Sequence, residues 1–241
     1  MDGSKGSLRS LAPGVHVCAA PQRFLGIELG ARMSVLELEG GLFVCSPVPV
    51  EPARVREALG EAPRWVLAPN LFHHLHVGPW AEAAAEAWAA PGLPEKRPDV
   101  AFDGVLEEVG EPFGEELLVV PLRCIPLTNE VVLLHRPSRT LITTDLLFHI
   151  PPDAPWPTRA AMRCALAYPG PRASIVERLG MKRERAREEL AFLLAQDFDR
   201  VVLAHGEVIE SGGRKALAGA YRWLWPRGSA PRTTRRAWAK P

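Results

Sequence analysis

The first half of the chain alternates short apolar runs with turn residues, a pattern typical of buried strands. Residues 36–39 alternate apolar and acidic side chains, a Gly-Gly pair supplies a two-residue turn, and residues 42–45 return as an apolar run. This arrangement predicts a β-hairpin. Residues 53–59 then predict a short helix that ends at a glycine, and the apolar run 65–68 predicts a further buried strand.

A histidine cluster follows this last strand directly. The segment PNLFHHLHVGPW carries His73, His74 and His76 within four positions, ahead of an alanine-rich stretch that predicts a helix over about 81–90. Imidazole is the commonest metal ligand among side chains, so the cluster indicates a metal site. The alternative is a polar loop in which one imidazole caps the helix or satisfies a core hydrogen bond and the others face water.

The sequence of the second half also predicts strands and helices. Asp145 follows one of its predicted strands and His205 another, and functional groups gather at the carboxyl ends of strands in α/β sheets. Asp145 could equally cap the turn that follows it, and His205 could simply end its strand.

The order of predicted strands and helices indicates sheets covered by helices, which is an α/β layered domain. The predicted elements are strands at 117–120, 131–134, 141–143 and 201–204, and helices at about 158–167, 182–196 and 213–225.

Composition narrows the function classes. The net charge of +1 gives no general bias towards nucleic acid, and no apolar stretch reaches the roughly 18 residues of a membrane span. The start of the chain lacks the apolar stretch of a signal peptide, so we expect a cytoplasmic protein. The four cysteines form no C-x-x-C pair and are expected to be free thiols. The expected partner is a small-molecule substrate, with neither a membrane nor a specific nucleic acid.

The two ends differ from the rest of the chain. Residues 1–14 are rich in Gly, Ser and Pro, and residues 227–241 carry five basic residues and no acid. We predict a flexible N-terminus, a single domain over residues 15–226, and a basic flexible tail. A basic tail can contact phosphates, and the alternative is a tail that is only solvated.

Four segments together resemble the metallo-β-lactamase fold superfamily: GGLFVCSPVPV, PNLFHHLHVGPW, SRTLITTDLLF and RVVLAHG. The resemblance extends from about residue 31 to residue 225. Within the superfamily, the chain more specifically resembles a divergent, uncharacterised branch whose members share PN-x-x-HHLH and TLI-x-TD segments. The resemblance implies a four-layer αββα sandwich with one or two metal ions. It also implies a metal-bound hydroxide that attacks an ester, an amide, a thioester or a phosphodiester. Asp145 matches the metal-bridging aspartate of the family, and His205 matches its last histidine ligand.

The central motif departs from this family. The superfamily has H-x-H-x-D-H after the strand, whereas this loop has no aspartate: with His74 and His76 on the first two histidines, Gly78 and Pro79 stand in place of Asp and His. The histidine expected before the 131–134 strand is also absent, and Glu130 is the only strong ligand type nearby. The acidic residue that usually follows the second strand is replaced by a Ser-Pro pair. A full two-metal site is therefore not expected.

These observations lead to two hypotheses. The first is a metal-dependent hydrolase with a reduced site, attacking an ester, thioester, lactone or phosphodiester, in which Asp145 or His74 moves the proton. Its metal is zinc, as one ion, with manganese or iron as alternatives. The second is a degenerate member without metal or catalysis that acts as a binding or scaffold protein. The metal ligands predicted by the first hypothesis are His74, His76, Asp145 and His205, with His73 as a further ligand or as an orienting residue.

Overall fold

The computed structural model of the protein describes residues 6–226 and has two β-sheets that face each other. Helices cover the outer face of each sheet, which gives the predicted αββα order of layers. None of the described helices has the length and apolarity that a membrane-spanning helix requires.

The first sheet has seven strands in the order β1-β2-β5-β6-β7-β8-β9. The predicted hairpin is confirmed, because β5 and β6 pair antiparallel with Leu36 opposite Phe43. Strands β6, β7, β8 and β9 then run parallel to one another. The strands are β1 (Leu8–Ala12), β2 (Val15–Ala20), β5 (Ala31–Leu38), β6 (Gly41–Cys45), β7 (Pro63–Ala68), β8 (Glu86–Ala89) and β9 (Gly104–Val105), and a separate hairpin consists of β3 (Arg23–Phe24) and β4 (Ile27–Glu28).

The second sheet has four strands in the order β10-β11-β12-β13. The strands predicted at 131–134 and 141–143 are confirmed as β11 and β12, which pair antiparallel. Strand β13 pairs parallel to β12, so these two strands deliver their carboxyl ends to the same edge. The strands are β10 (Leu117–Pro121), β11 (Val131–His135), β12 (Thr140–Ile142) and β13 (Arg200–Val202).

Most strands are apolar on both faces because both faces are covered. In β10, Leu117 and Val119 point between the sheets, whereas Leu118 and Val120 point towards the outer helices. The core between the sheets joins these residues to Phe43 and other side chains of the first sheet. The two sheets are therefore fixed against each other, and so are the loops at their shared edge.

The helices lie in two outer layers. Val55, Val77 and Trp80 pack against the first sheet, and Leu190 and Leu217 pack against the second. The helices are α1 (Pro52–Leu59), α2 (Val77–Ala83), α3 (Leu93–Lys96), α4 (Trp156–Cys164), α5 (Ile175–Gly180), α6 (Arg183–Ala195) and α7 (Gly213–Ala220), followed by a 3-10 helix (Arg222–Leu224).

Two local predictions differ from the structure. The helix predicted over residues 81–90 is wrong, because α2 ends at Ala83 and the chain continues as β8. Pairing with β7 and burial of alternate alanines override the helical propensity of this alanine-rich segment. At the start of the chain, residues 8–12 of the stretch predicted to be flexible form an edge strand on β2. Residues 1–5 and the predicted basic tail at 227–241 lie outside the described residues.

Candidate metal centre

Asn70 shapes the loop that carries the histidines. This residue follows β7, and its buried side-chain Oδ1 accepts the backbone N–H groups of Phe72 and His73 at 2.8 and 2.6 Å. An asparagine that binds its own backbone two and three residues on forces a tight turn. This turn directs the His73 ring into the space between the carboxyl ends of the two sheets.

Ser46 holds the His73 ring from the end of β6. Its Oγ lies 2.9 Å from His73 Nδ1, and both side chains are buried. Ser46 has a φ of 58°, which is uncommon for a residue other than glycine, asparagine or aspartate. The contact occupies Nδ1 of His73 and leaves Nε2 facing the opposite direction.

Glu130 fixes the turn that presents Asp145. The buried Glu130 carboxylate accepts the backbone N–H groups of Thr144, Asp145 and Leu146 at 2.6, 2.8 and 2.8 Å. Burial, and after it the charge of Asp145, raises the pKa of Glu130 to about 8, although the N–H donors act in the opposite direction. Glu130 therefore positions the backbone of the Asp145 turn.

His205 follows β13 and is held on both sides. Its Nδ1 lies 2.7 Å from the backbone oxygen of Gly30, and because a carbonyl only accepts, Nδ1 carries the proton. The ring of Phe148 stacks on the His205 ring, with centroids 5.4 Å apart and an angle of 8° between the planes. Nε2 of His205 therefore faces the centre of the site.

Three donor atoms meet at this point. His73 Nε2 and His205 Nε2 are 3.1 Å apart, and Asp145 Oδ1 is 3.5 Å from the first and 3.4 Å from the second. Zinc–ligand distances of about 2.0–2.2 Å in a tetrahedron place neighbouring donors about 3.3–3.6 Å apart. The two distances to Asp145 Oδ1 fall in this range, and the distance between the two nitrogens is slightly shorter than it. Two nitrogens with one carboxylate oxygen are ligands that suit zinc, manganese or iron. The group could therefore hold a metal ion.

The environment of Asp145 favours its charged form. Its second oxygen, Oδ2, accepts Asn70 Nδ2 at 2.7 Å, which turns Oδ1 towards the histidines. Burial by itself raises the pKa of Asp145, but the charges and hydrogen bonds of His73 and His205 outweigh it and hold that pKa below its usual range. Within residues 6–226, no lysine or arginine forms an ion pair with Asp145. Among the described residues, the partners of the Asp145 carboxylate are His73, His205 and Asn70.

The structure brings together three of the residues that the sequence predicted for a metal site, namely His73, Asp145 and His205. His74 points away, because its Nδ1 lies 3.2 Å from an Arg97 nitrogen and its backbone oxygen accepts that guanidinium at 2.6 Å. His76 is the residue before the first turn of α2. Neither lies in the His-Asp-His group.

Several positioning residues were not identified from the sequence. Ser46 stands where the family has an acidic residue, and Asn70 stands in the shared PN segment, but neither pattern indicates a hydrogen bond to the site. Phe148 lies three residues after Asp145, a spacing that carries no signal for stacking on a distant ring. Gly30 contributes only its backbone, which leaves no trace in side-chain patterns.

No protein-family model matches the chain, and no curated protein matches it either. Its similarity is to solved structures. A metallo-β-lactamase from Hirschia baltica is 12% identical to this chain, with a TM-score of 0.63. The match covers 92% of this chain and 98% of the Hirschia baltica chain. One from Erythrobacter litoralis is 12% identical, with 93% and 98% coverage and a TM-score of 0.64. One from Pontibacter korlensis is 10% identical, with 90% and 98% coverage and a TM-score of 0.63.

These similarities extend over nearly the whole length of both chains, so they concern the complete arrangement of layers rather than one motif. The sequence identity of 10–12% is low, and it supports the fold alone. The chain thus has the metallo-β-lactamase fold, as a divergent version of it.

Proposed function

We propose that the protein is a metal-dependent hydrolase with a mononuclear site held by His73 Nε2, Asp145 Oδ1 and His205 Nε2. The observation that carries this proposal is the spacing of these three donors, 3.1–3.5 Å apart and turned towards one point. Three protein ligands with a free fourth position are typical of catalytic rather than structural zinc sites. Manganese and iron suit the same donors.

The surrounding residues prepare the ligands. Gly30 fixes the proton of His205 on Nδ1, and Ser46 occupies Nδ1 of His73, so that both Nε2 atoms are directed at the same point. Asn70 orients the Asp145 carboxylate in the same way. Such outer partners of metal ligands usually set ligand orientation and basicity.

A bound zinc ion would supply Lewis-acid chemistry and lower the pKa of a water molecule to about 7. The residues of the chain would hold that ion: both Nε2 atoms and Asp145 Oδ1 face one point, and the ionised Asp145 carboxylate would offset part of the charge of the ion. His73, Asp145 and His205 are buried and keep only 9%, 7% and 6% of their surface exposed. The substrate class we propose is an ester, thioester, lactone or phosphodiester, the bonds that such chemistry hydrolyses.

The test begins with metal analysis of untagged protein. We expect about one ion per chain, with the ion lost in His205→Ala and Asp145→Asn and kept in the control His76→Ala. Hydrolysis of chromogenic ester, thioester, lactone and phosphodiester substrates is then measured with and without added zinc. Less than about 0.2 ion per chain, unchanged in His205→Ala, would overturn the proposal.

One contact favours a second candidate, a metal-free binding or scaffold protein. The Ser46 hydroxyl is able to donate to His73 Nδ1, in which case His73 Nε2–H donates to His205 Nε2 at 3.1 Å and the network closes without an ion. The two candidates predict different protonation of His73. Nitrogen-15 NMR of the imidazoles separates them, because zinc addition shifts the Nε2 signals only if the ion binds there.

A further inference from the structure

The surface of the protein has a groove that shares no lining residue with the metal centre. It has a volume of about 1000 Å³ and is bounded by the loop at 169–172, by α5 and by the 3-10 helix at the end of the described chain. Three arginines and two tryptophans line it, and none of the described lining residues is acidic. We call it the cationic groove; its charged and aromatic residues are Arg172, Arg178, Arg222, Trp223 and Trp225.

The arginines of the cationic groove lack anionic partners. Among residues 6–226, none of Arg172, Arg178 and Arg222 forms an ion pair within 4 Å of a carboxylate. Burial, and after it the charge of Arg172, lowers the pKa of Arg178, although Tyr221 and Glu177 act in the opposite direction. Like charges that approach each other raise the energy of the folded state. An anion in the groove would remove this repulsion.

Two donors in the same place are unsatisfied. Arg178 Nε and Trp223 Nε1 are buried and have no hydrogen-bond partner in the described structure. The Arg178 guanidinium lies 5.2 Å from the centre of the Trp223 ring, so the two groups are neighbours. A buried donor without an acceptor destabilises the folded state, because its hydrogen bond to water is lost and not replaced. A small rotation of the long Arg178 side chain towards an acceptor in the groove would recover part of this cost.

The combination selects one ligand chemistry. A single carboxylate has one charge and two oxygens for three guanidinium groups, whereas a phosphate monoester has a charge of about −1.5 to −2 and three acceptor oxygens. The partly buried indole of Trp225 offers an aromatic surface beside the arginines on which a base can stack, whereas the Trp223 ring is already contacted by Arg178 and Arg183. We propose that the cationic groove binds the phosphoryl group of a small phosphate ester, with a nucleotide as the best match.

The experiment is isothermal titration of the full chain with pyrophosphate and with ADP. We expect binding of both that weakens at least about tenfold in Arg178→Gln and in Arg222→Gln. The control Arg56→Gln removes the same charge from the exposed surface of α1 and should leave the affinity unchanged. His205→Ala should also bind normally, which separates this groove from the metal centre. Circular dichroism and the melting temperature verify that each variant is folded.

Two results would overturn the proposal. One is the absence of binding up to about 5 mM of either ligand, well beyond the millimolar range of weak specific sites. The other is binding that persists in Arg178→Gln but disappears in the full-chain variant Arg232→Gln, Arg235→Gln, Arg236→Gln, because the basic sequence after Pro226 would then be the binding element. A single-stranded oligonucleotide that binds while ADP and pyrophosphate do not would likewise contradict a small-molecule site.

Discussion

His73 Nε2 and His205 Nε2 lie 3.1 Å apart although 132 positions separate the two residues in the chain. His73 comes from the loop after the first sheet's β7, and His205 follows β13 of the second sheet. The contact therefore exists only when the two sheets are packed face to face. The candidate metal centre can therefore form only when the two sheets have assembled correctly, so metal binding and folding are coupled.

Zinc should stabilise the folded protein. The donors meet only in the folded state, so an ion that binds there raises the free energy of unfolding by about 2.7 kcal/mol at a concentration 100 times its dissociation constant. Urea unfolding with zinc and with chelator measures the difference. The gain should vanish in Asp145→Asn, and an equal gain in that variant would place the bound ion elsewhere.

Asn70 should matter for metal affinity although it is not a ligand. Asn70→Ala removes the hydrogen bond to Asp145 Oδ2 and both bonds that shape the loop before His73. We expect zinc to bind about 10–100-fold more weakly, the usual cost of losing an outer partner. Competition with a chromogenic chelator measures the affinity. Gln196→Ala, which truncates an amide at the end of α6, is the control, and an equal loss there would contradict the prediction.

Gly206 should tolerate no side chain. Its φ is 97°, and a Cβ placed on it would lie 2.0 Å from the backbone oxygen of His149. We expect Gly206→Ala to lower the free energy of unfolding by more than about 4 kcal/mol. Gly212→Ala separates strain from overlap, because that glycine has a φ of 71° with open space around it, and should cost only about 1–2 kcal/mol. Chemical denaturation measures both, and similar losses would refute the argument from overlap.

Glu177 should make stability depend on pH. Burial raises the pKa of its carboxyl from the ordinary 4.5 to about 7, and the Ser174 hydroxyl donates to it. The folded state keeps the proton to higher pH than the unfolded chain does. The contribution to stability is therefore complete below about pH 4.5 and is lost as the pH rises through about 7. The shift corresponds to a loss of about 3 kcal/mol.

The variant Glu177→Gln isolates this contribution, since its amide oxygen still accepts the Ser174 hydroxyl without titrating. Urea unfolding at several values between about pH 4.5 and pH 8 should show a flatter pH dependence in the variant than in the unaltered chain. Parallel curves for the two proteins would mean that Glu177 does not hold its proton in the folded state.

The sequence determined the central strands of both sheets, namely β5, β6, β7, β10, β11, β12 and β13, and the two sheet-end residues Asp145 and His205. Strands β1 to β4, β8 and β9 were not predicted. Apolar runs such as 42–45 and 117–120 predict strands because both faces of each sheet are covered, so burial and β-structure coincide. The fold followed from the same patterns together with the resemblance. The alanine-rich segment 81–90 shows the limit of the prediction, because pairing with the parallel neighbour β7 made residues 86–89 a strand.

Only the tertiary structure decided which histidine of the trio faces Asp145 and His205. His73, His74 and His76 are equivalent by residue type, and a spacing of one to three positions in an irregular loop says nothing about the direction of a ring. The direction depends on Asn70, which tightens the turn, on Ser46 from the neighbouring strand, and on Arg97, which holds His74 outside. Asn70 acts locally, whereas Ser46 and Arg97 lie 27 and 23 positions from the histidines that they contact. Ser46 meets His73 because β6 and β7 are parallel neighbours in the first sheet, so their carboxyl ends lie at one edge.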